Sequence, residues 1–322
     1  MNILLVHAHH EPQSFSSALA RQAAATLEAA GHTVTWSDLP AMGFNPFSGR
    51  NNFTTVKNPD YLKQQVEEMH ATENNGFAPE LEAEIRKLEA CDALIFSFPL
   101  WWFGMPAILK GWVDRVYAMG RIYGGPKLYE NGTGQSRKRA MVLMTTGGGP
   151  VAYSGHGFNP SMETVLTPIH HGIFWFNGFL PLDPFIAWSP VRLEDAQRKE
   201  ILAQLDRRLA TFFTEEPRKL PPLADFPEYG ADRKKRLQVI VTRTQPVDDG
   251  YRARIPAEQA TVAAWIKDGR LLSFTMTPVD AADWRAFLTF RAEGKAEVNS
   301  WLQELPLAPW LEFQIHELSD NP

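Results

Sequence analysis

Residues 93–117 constrain this chain more than any other stretch. They open on Ala93-Leu94-Ile95-Phe96, a short apolar run suited to a strand buried on both faces of a parallel sheet. Pro99 ends the run, since it brings no backbone donor to a ladder. Leu100, Trp101, Trp102 and Phe103 then make a loop, and Pro106 stands where a helix would begin. Ile108, Leu109, Trp112, Val113 and Val116 recur at helical spacing. Strand, aromatic loop and helix together are the unit of an open α/β sheet, whose ligands bind at the carboxyl ends of the strands. Flat rings and backbone amides in such a loop suit a flat, hydrogen-bonding ligand, although the same rings would also serve as plain core.

The chain before this stretch reads as a βαβ opening. Ile3-Leu4-Leu5-Val6 is a buried strand, Ala18 to Ala30 a helix ended by Gly31, and Thr33 to Ser37 a second strand. The turn between them, His9 to Ser17, lacks the glycine fingerprint of dinucleotide folds and carries hydroxyls instead. At a helix N-terminus such hydroxyls and amides hold phosphate, or simply cap the helix. His7, His9 and His10 also admit a metal reading, but no spacing resembles a known site, and contact between His9 and a cofactor is preferred. Residues 40–80 are longer than the sheet requires and read as functional or as interface. After 117 come a glycine-rich loop with Tyr123 and Tyr129, which would line a substrate pocket, and a fourth strand, Ala140 to Met144. Thr145-Thr146-Gly147-Gly148-Gly149-Pro150 follows it, with glycines free to approach a ligand closely and to take positive φ. Met162 to Ile173 reads as a helix in which His170 and His171 cap carbonyls or stabilise the helix dipole, Phe174 to Phe179 as the last strand and turn, and Leu193 to Phe213 as the final helix.

Composition sets the outer limits. With 322 residues, two domains are the natural expectation. A formal charge of −5 gives no reason to expect a nucleic acid partner, and no apolar run is long enough to span a membrane. The single cysteine, Cys91, excludes an internal disulfide and suits a reducing compartment, so a cytoplasmic protein is expected. Residues 215–232, rich in proline, read as a linker. Beyond it, 233–322 shows strand, helix, strand, strand, helix, strand, the order of a ferredoxin-like α+β domain.

The wording of the central stretch goes further than its pattern. Phe98-Pro99-Leu100-Trp101-Trp102-Phe103-Gly104-Met105-Pro106-Ala107-Ile108-Leu109-Lys110-Gly111-Trp112 resembles the signature of the NAD(P)H:quinone oxidoreductase (DT-diaphorase) family of flavodoxin-like flavoenzymes. His10-Glu11-Pro12-Gln13-Ser14-Phe15-Ser16 resembles that family's phosphate loop, with Ser16 where asparagine is usual, and Thr145-Thr146-Gly147-Gly148 with Tyr153 resembles its glycine motif. The resemblance implies a flavodoxin-like parallel sheet over residues 1–214, and FAD rather than FMN. It implies cofactor contacts from His9, Ser14, Phe15, Ser16, Pro99, Leu100, Trp101, Trp102, Phe103, Thr145, Thr146, Gly147, Gly148 and Tyr153. It further implies ping-pong hydride transfer from NAD(P)H to a quinone, with Tyr153 and a histidine managing charge on the flavin. His156 is taken for the histidine, although an ungapped count puts Asn159 there. Arg198 loosely aligns with an arginine that reaches adenine in relatives. The family implies a homodimer with its sites at the interface. An azo- or nitroreductase, or a flavodoxin-like carrier or regulatory subunit, are the alternatives. Leu305 to Glu312 resembles muconolactone isomerase, a ferredoxin-like family whose members pair their sheets.

Overall fold

The computed structural model describes residues 1–124, 127–129, 138–226 and 234–318. Two compact units divide the chain, Met1–Leu220 and Pro221–Pro322.

In the first unit β1 (Asn2–His7), β2 (Thr33–Asp38), β3 (Ala93–Pro99) and β4 (Arg139–Thr146) are joined by the helices α1 (Phe15–Ala29), α2 (Gln64–Asn74), α3 (Pro79–Ala90) and α4 (Ala107–Val116). All seven residues of β3 are buried, which fits its unbroken apolar run. The strands pair in parallel in the order β2-β1-β3-β4. A fifth position beside β4 is shared by β5 (Leu180–Pro181) and β6 (Phe185–Trp188). This is the doubly wound 2-1-3-4-5 order of flavodoxin-like sheets. α1 packs on one face through Leu19, Ala23 and Leu27, with Leu205 and Phe212 of the C-terminal helix region beside it; α6 itself spans Asp195–Leu209. α3 and α4 pack on the other face through Leu81, Ile85, Leu109 and Trp112. The connections after β1 and β3 therefore leave the sheet on opposite faces, and the crevice between those strand ends is the topological switch point.

The last strand is not where the sequence pattern put it. α5 covers Met162–Ile169, and the chain continues as a π turn, His170–Phe174, and a 3₁₀ turn, Trp175–Asn177. The coiled path buries Phe174 against Phe96, with ring centroids 5.1 Å apart, and Asn177 Nδ2 donates to the Ile173 carbonyl at 2.7 Å. Gly178, at φ +81°, then turns the chain into β5. Pro181 and Pro184 bound the break that leaves β5 and β6 as separate pieces.

His170 does not cap a carbonyl. It is buried, and neither ring nitrogen has a hydrogen-bond partner among the described residues. Burial first, and then the Arg218 charge, push its pKa down to about 4. The unfolded chain would bind this proton near pH 6.5. Stability contributed by the neutral ring is thus complete above pH 6.5 and is lost as pH falls toward 4. The loss should be on the order of 3 kcal/mol. Urea denaturation across that window should show a markedly flatter profile for His170→Phe than for the parent; superimposable profiles would remove His170 as the source.

The excursion between β2 and α3 is tied to α4. The Arg115 side chain, with 0% exposure, donates to Asn52 Oδ1 and the Asn45 carbonyl, each at 2.7 Å, and its guanidinium lies over the Phe44 ring. Gly111 lets this segment approach: a Cβ there would stand 2.3 Å from the Pro46 carbonyl oxygen.

The second unit holds β7 (Lys235–Arg243), α7 (Asp249–Lys267), β8 (Leu271–Met276), β9 (Arg285–Ala292), α8 (Lys295–Gln303) and β10 (Leu311–Glu317). Its four strands pair antiparallel in the order β10-β7-β9-β8. α7 starts at Asp249, where Asp248 caps the Tyr251 amide at 2.7 Å. Residues 227–233 of the linker and its basic boundary lie outside the described residues.

Candidate active site

Loops leaving the carboxyl ends of β1, β3, β4 and β6 build the site. Below it His7 is buried between two hydroxyls, Ser97 Oγ at 3.1 Å and Ser17 Oγ at 3.0 Å. Ser14 caps α1, accepting the Ser17 amide at 3.1 Å, and Ser16 bridges to Thr145 Oγ1 at 2.7 Å, locking the helix start onto the end of β4. Phe15 packs into the α1 side of the core rather than the loop. The Glu11 amide donates to His9 Nδ1 at 2.9 Å, so the neutral His9 ring carries its proton on Nε2. Burial and then the neighbouring His10 hold the His9 pKa below the usual histidine range, which favours that neutral donor form. Among the described residues, no group of three or more His, Cys, Asp and Glu side chains could hold a metal ion.

The aromatic loop is a tight turn. Leu100 N–H donates to the Thr145 carbonyl at 2.8 Å, and Trp101 and Gly104 exchange backbone hydrogen bonds at 3.1 and 2.9 Å. Trp102 and Phe103 between them hold φ of +51° and +57°. Such left-handed non-glycine residues cost on the order of 1–3 kcal/mol each and gather at ligand sites. Trp101 packs against His9 and His10, at centroid distances of 5.8 and 5.6 Å, while Trp102 is 98% exposed.

Gly147, Gly148 and Gly149 do not use positive φ; around the site the left-handed residues are Trp102 and Phe103 of the aromatic loop, Gly155 at +86° and Ser189 at +48°. What Gly148 supplies is room. A Cβ there would lie 3.0 Å from Tyr153 Cε2, so the bare glycine lets the tyrosine ring settle on the loop. Thr146 Oγ1 donates to the Gly148 carbonyl at 2.8 Å, and Ser189 Oγ to the Gly147 carbonyl at 3.1 Å. The Tyr153 ring stands between Phe103 and Trp188, at 6.2 and 5.8 Å. Sequence reading missed Trp188 and Ser189 because they follow the misplaced strand; the run Phe185-Ile186-Ala187-Trp188 was the available signal.

Other expected residues stand apart. His156 is solvent-exposed, and Asn159 is half-buried, its amide donating to the Ala152 carbonyl at 3.1 Å. Tyr123 and Tyr129 join a second aromatic group: Tyr123 meets Phe176 at 6.1 Å, and Tyr129 meets Trp175 at 4.6 Å. Arg198 is held at the start of its own helix by Asp195 and by the Pro190 and Leu193 carbonyls. A cavity of about 570 Å³ opens beside the β1 loop between His7, His9 and His10 on one side and Trp36 and Asp38 on the other, with Arg21 among its walls. Arg21 and Asp38 had given no signal in the sequence.

A doubly wound parallel sheet with hydroxyl, aromatic and glycine loops converging on its switch point defines a flavodoxin-like protein. The description "Flavodoxin-like fold" matches residues 1–210. Rat ribosyldihydronicotinamide dehydrogenase [quinone] is 39% identical over 216 residues, 67% of this chain and 93% of that protein. Rat NAD(P)H dehydrogenase [quinone] 1 is 38% identical over 224 residues, 69% of this chain and 81% of that one. A solved structure from Klebsiella pneumoniae, assigned to the quinone reductases, superposes with a TM-score of 0.64 at 36% identity, covering 67% of this chain and 86% of that chain. The chain belongs to the flavodoxin-like NAD(P)H:quinone oxidoreductase family.

Proposed function

We propose that this protein catalyses the two-electron reduction of quinones by NAD(P)H, with a flavin held at the carboxyl ends of β1, β3 and β4. The observation that carries the reading is the convergence of His9, Trp101, Phe103 and Tyr153 at the switch point in a chain of this family. The donor set fits a flavin nucleotide. The amides at the start of α1, the Ser14 hydroxyl and the His9 Nε2–H suit its phosphate, since a helix start favours an anion. The Trp101 and Phe103 rings offer apolar contact to a flat ring system, and the loop 147–149 offers backbone to its polar edge. When bound, the flavin supplies the group that accepts a hydride from NAD(P)H and passes it to the quinone. The chain's own part is to hold the reacting faces close and to exclude water between them. Tyr153 donates its hydroxyl proton toward negative charge developing on that edge, a fixed dipole needing no reorganisation.

Within this reading the cofactor is FAD, the protein is a homodimer, and the second unit is a ferredoxin-like domain that adds contact between copies without supplying the redox site. The exposed rings of Trp101, Trp102 and Phe103 support a partner surface at the site mouth. Among the described residues no helix is long and apolar enough to cross a membrane. The purified protein should be yellow, sediment as a dimer or higher homo-oligomer, and release on heating a flavin that co-migrates with FAD. Recovery of FMN alone would overturn the FAD assignment, and a colourless protein that takes up neither flavin would overturn the function.

A further inference from the structure

The second unit contains a cavity of about 1030 Å³, lined by α7 on one side and by strands of the antiparallel sheet on the other. That is at the top of the range of roughly 300–1,000 Å³ typical of small-molecule sites. Its walls are mostly apolar, and Phe274, Trp284 and Phe313 make part of them aromatic. Three of its polar lining residues are not exposed: Arg243 at the end of β7, and Tyr251 and Glu258 on α7.

Arg243 is the telling one. Its guanidinium carbon lies over the Trp284 ring, 4.4 Å from the centroid, and one terminal nitrogen donates to the Val279 carbonyl at 2.8 Å. Its Nε–H is buried and has no hydrogen-bond partner among the described residues. A buried charged donor left unmade is costly, so a native site that keeps one calls for an acceptor. Glu258 accepts the Leu307 amide at 3.0 Å, and burial raises its pKa, so it takes a proton more readily than an exposed carboxylate. Burial likewise raises the Tyr251 pKa and favours its neutral hydroxyl. Arg252 and Asp280 also line the cavity, but both are exposed and of opposite sign. The lining is mostly apolar around one buried cationic donor that lacks a hydrogen-bond partner among the described residues.

We infer that this cavity binds a largely apolar aromatic molecule that presents one anionic oxygen, carboxylate or phenolate, to the guanidinium of Arg243. The Trp284 ring and the Val279 carbonyl hold the guanidinium in place before the ligand arrives, and a charge-assisted hydrogen bond gains from the apolar surroundings.

Calorimetric titration of the full-length protein tests this with 2-naphthoate and 4-nitrophenolate as the two anions and 2-naphthamide as the uncharged control. At least one anion should bind at one site per chain, and which of them binds assigns the oxygen. Arg243→Met should weaken that anion by about tenfold or more and change 2-naphthamide by less than about twofold. NAD(P)H:quinone turnover should stay at the parent's level. Val262→Trp, which fills the cavity from α7, should abolish binding of all three probes and stands in if Arg243→Met fails to fold. Anion affinity unchanged in folded Arg243→Met, or retained in Val262→Trp, would place the ligand elsewhere and overturn the proposal. Absence of binding by both anions would overturn it as well, and a smaller sedimenting species for Val262→Trp would then make the cavity a seat for a second copy.

Discussion

Arg115→Met is expected to lower stability by about 3–5 kcal/mol, since it removes two hydrogen bonds from a buried charged donor, each worth roughly 1.5–3 kcal/mol. The change leaves the Asn45 carbonyl and the Asn52 amide oxygen without the Arg115 donor. The ion pair with Glu80 adds little to the sum, because that carboxylate is largely exposed. Methionine matches the length of the stem, so the loss reports the polar head rather than a cavity. Urea denaturation should show a lower midpoint with an unchanged slope. A difference below about 1 kcal/mol would mean that the excursion is held by its apolar contacts, Phe44 and Leu39, and that the buried guanidinium is incidental.

The same anchor shows what the sequence could and could not reveal. Residues 40–80 stood out only by length, because the features that hold them are long-range: Arg115 reaching Asn45 and Asn52, and Glu67 accepting the amides of Lys57 and Asn58. No local pattern announces such pairs. The parallel strands, by contrast, were plain in the sequence, since β1, β3 and β4 are buried on both faces and must read as unbroken apolar runs. The fifth strand was hidden by two prolines and by aromatic residues that serve a π turn, where an apolar run resembles a strand. At the site, the Thr-Thr-Gly-Gly loop was legible, but the reason for its glycine was not. A positive φ was expected at the glycines, and it falls instead on Trp102 and Phe103, while Gly148 makes space for Tyr153. Conformation at a turn depends on which backbone groups pair across it, here Trp101 with Gly104, and side-chain identity alone does not carry that information.

Tyr153→Phe is the substitution with the largest expected effect on turnover. The phenylalanine ring keeps the contacts of the tyrosine ring with Gly148, Phe103 and Trp188, so flavin content should be unchanged. Only the hydroxyl donor is lost. Removal of one donor aimed at developing charge typically costs about 10²–10³-fold in rate, and a water that fills the gap would reduce this toward about tenfold. Anaerobic rapid mixing with NADH, followed by a quinone in a second mix, measures both halves of the proposed reaction on the flavin's visible absorbance. The parent protein should bleach on NADH and recover on one equivalent of quinone per flavin, with bleaching in Tyr153→Phe slower by the factor above. A parent protein whose bound flavin neither bleaches with NADH nor recovers with quinone would contradict the assignment of this site to quinone reduction.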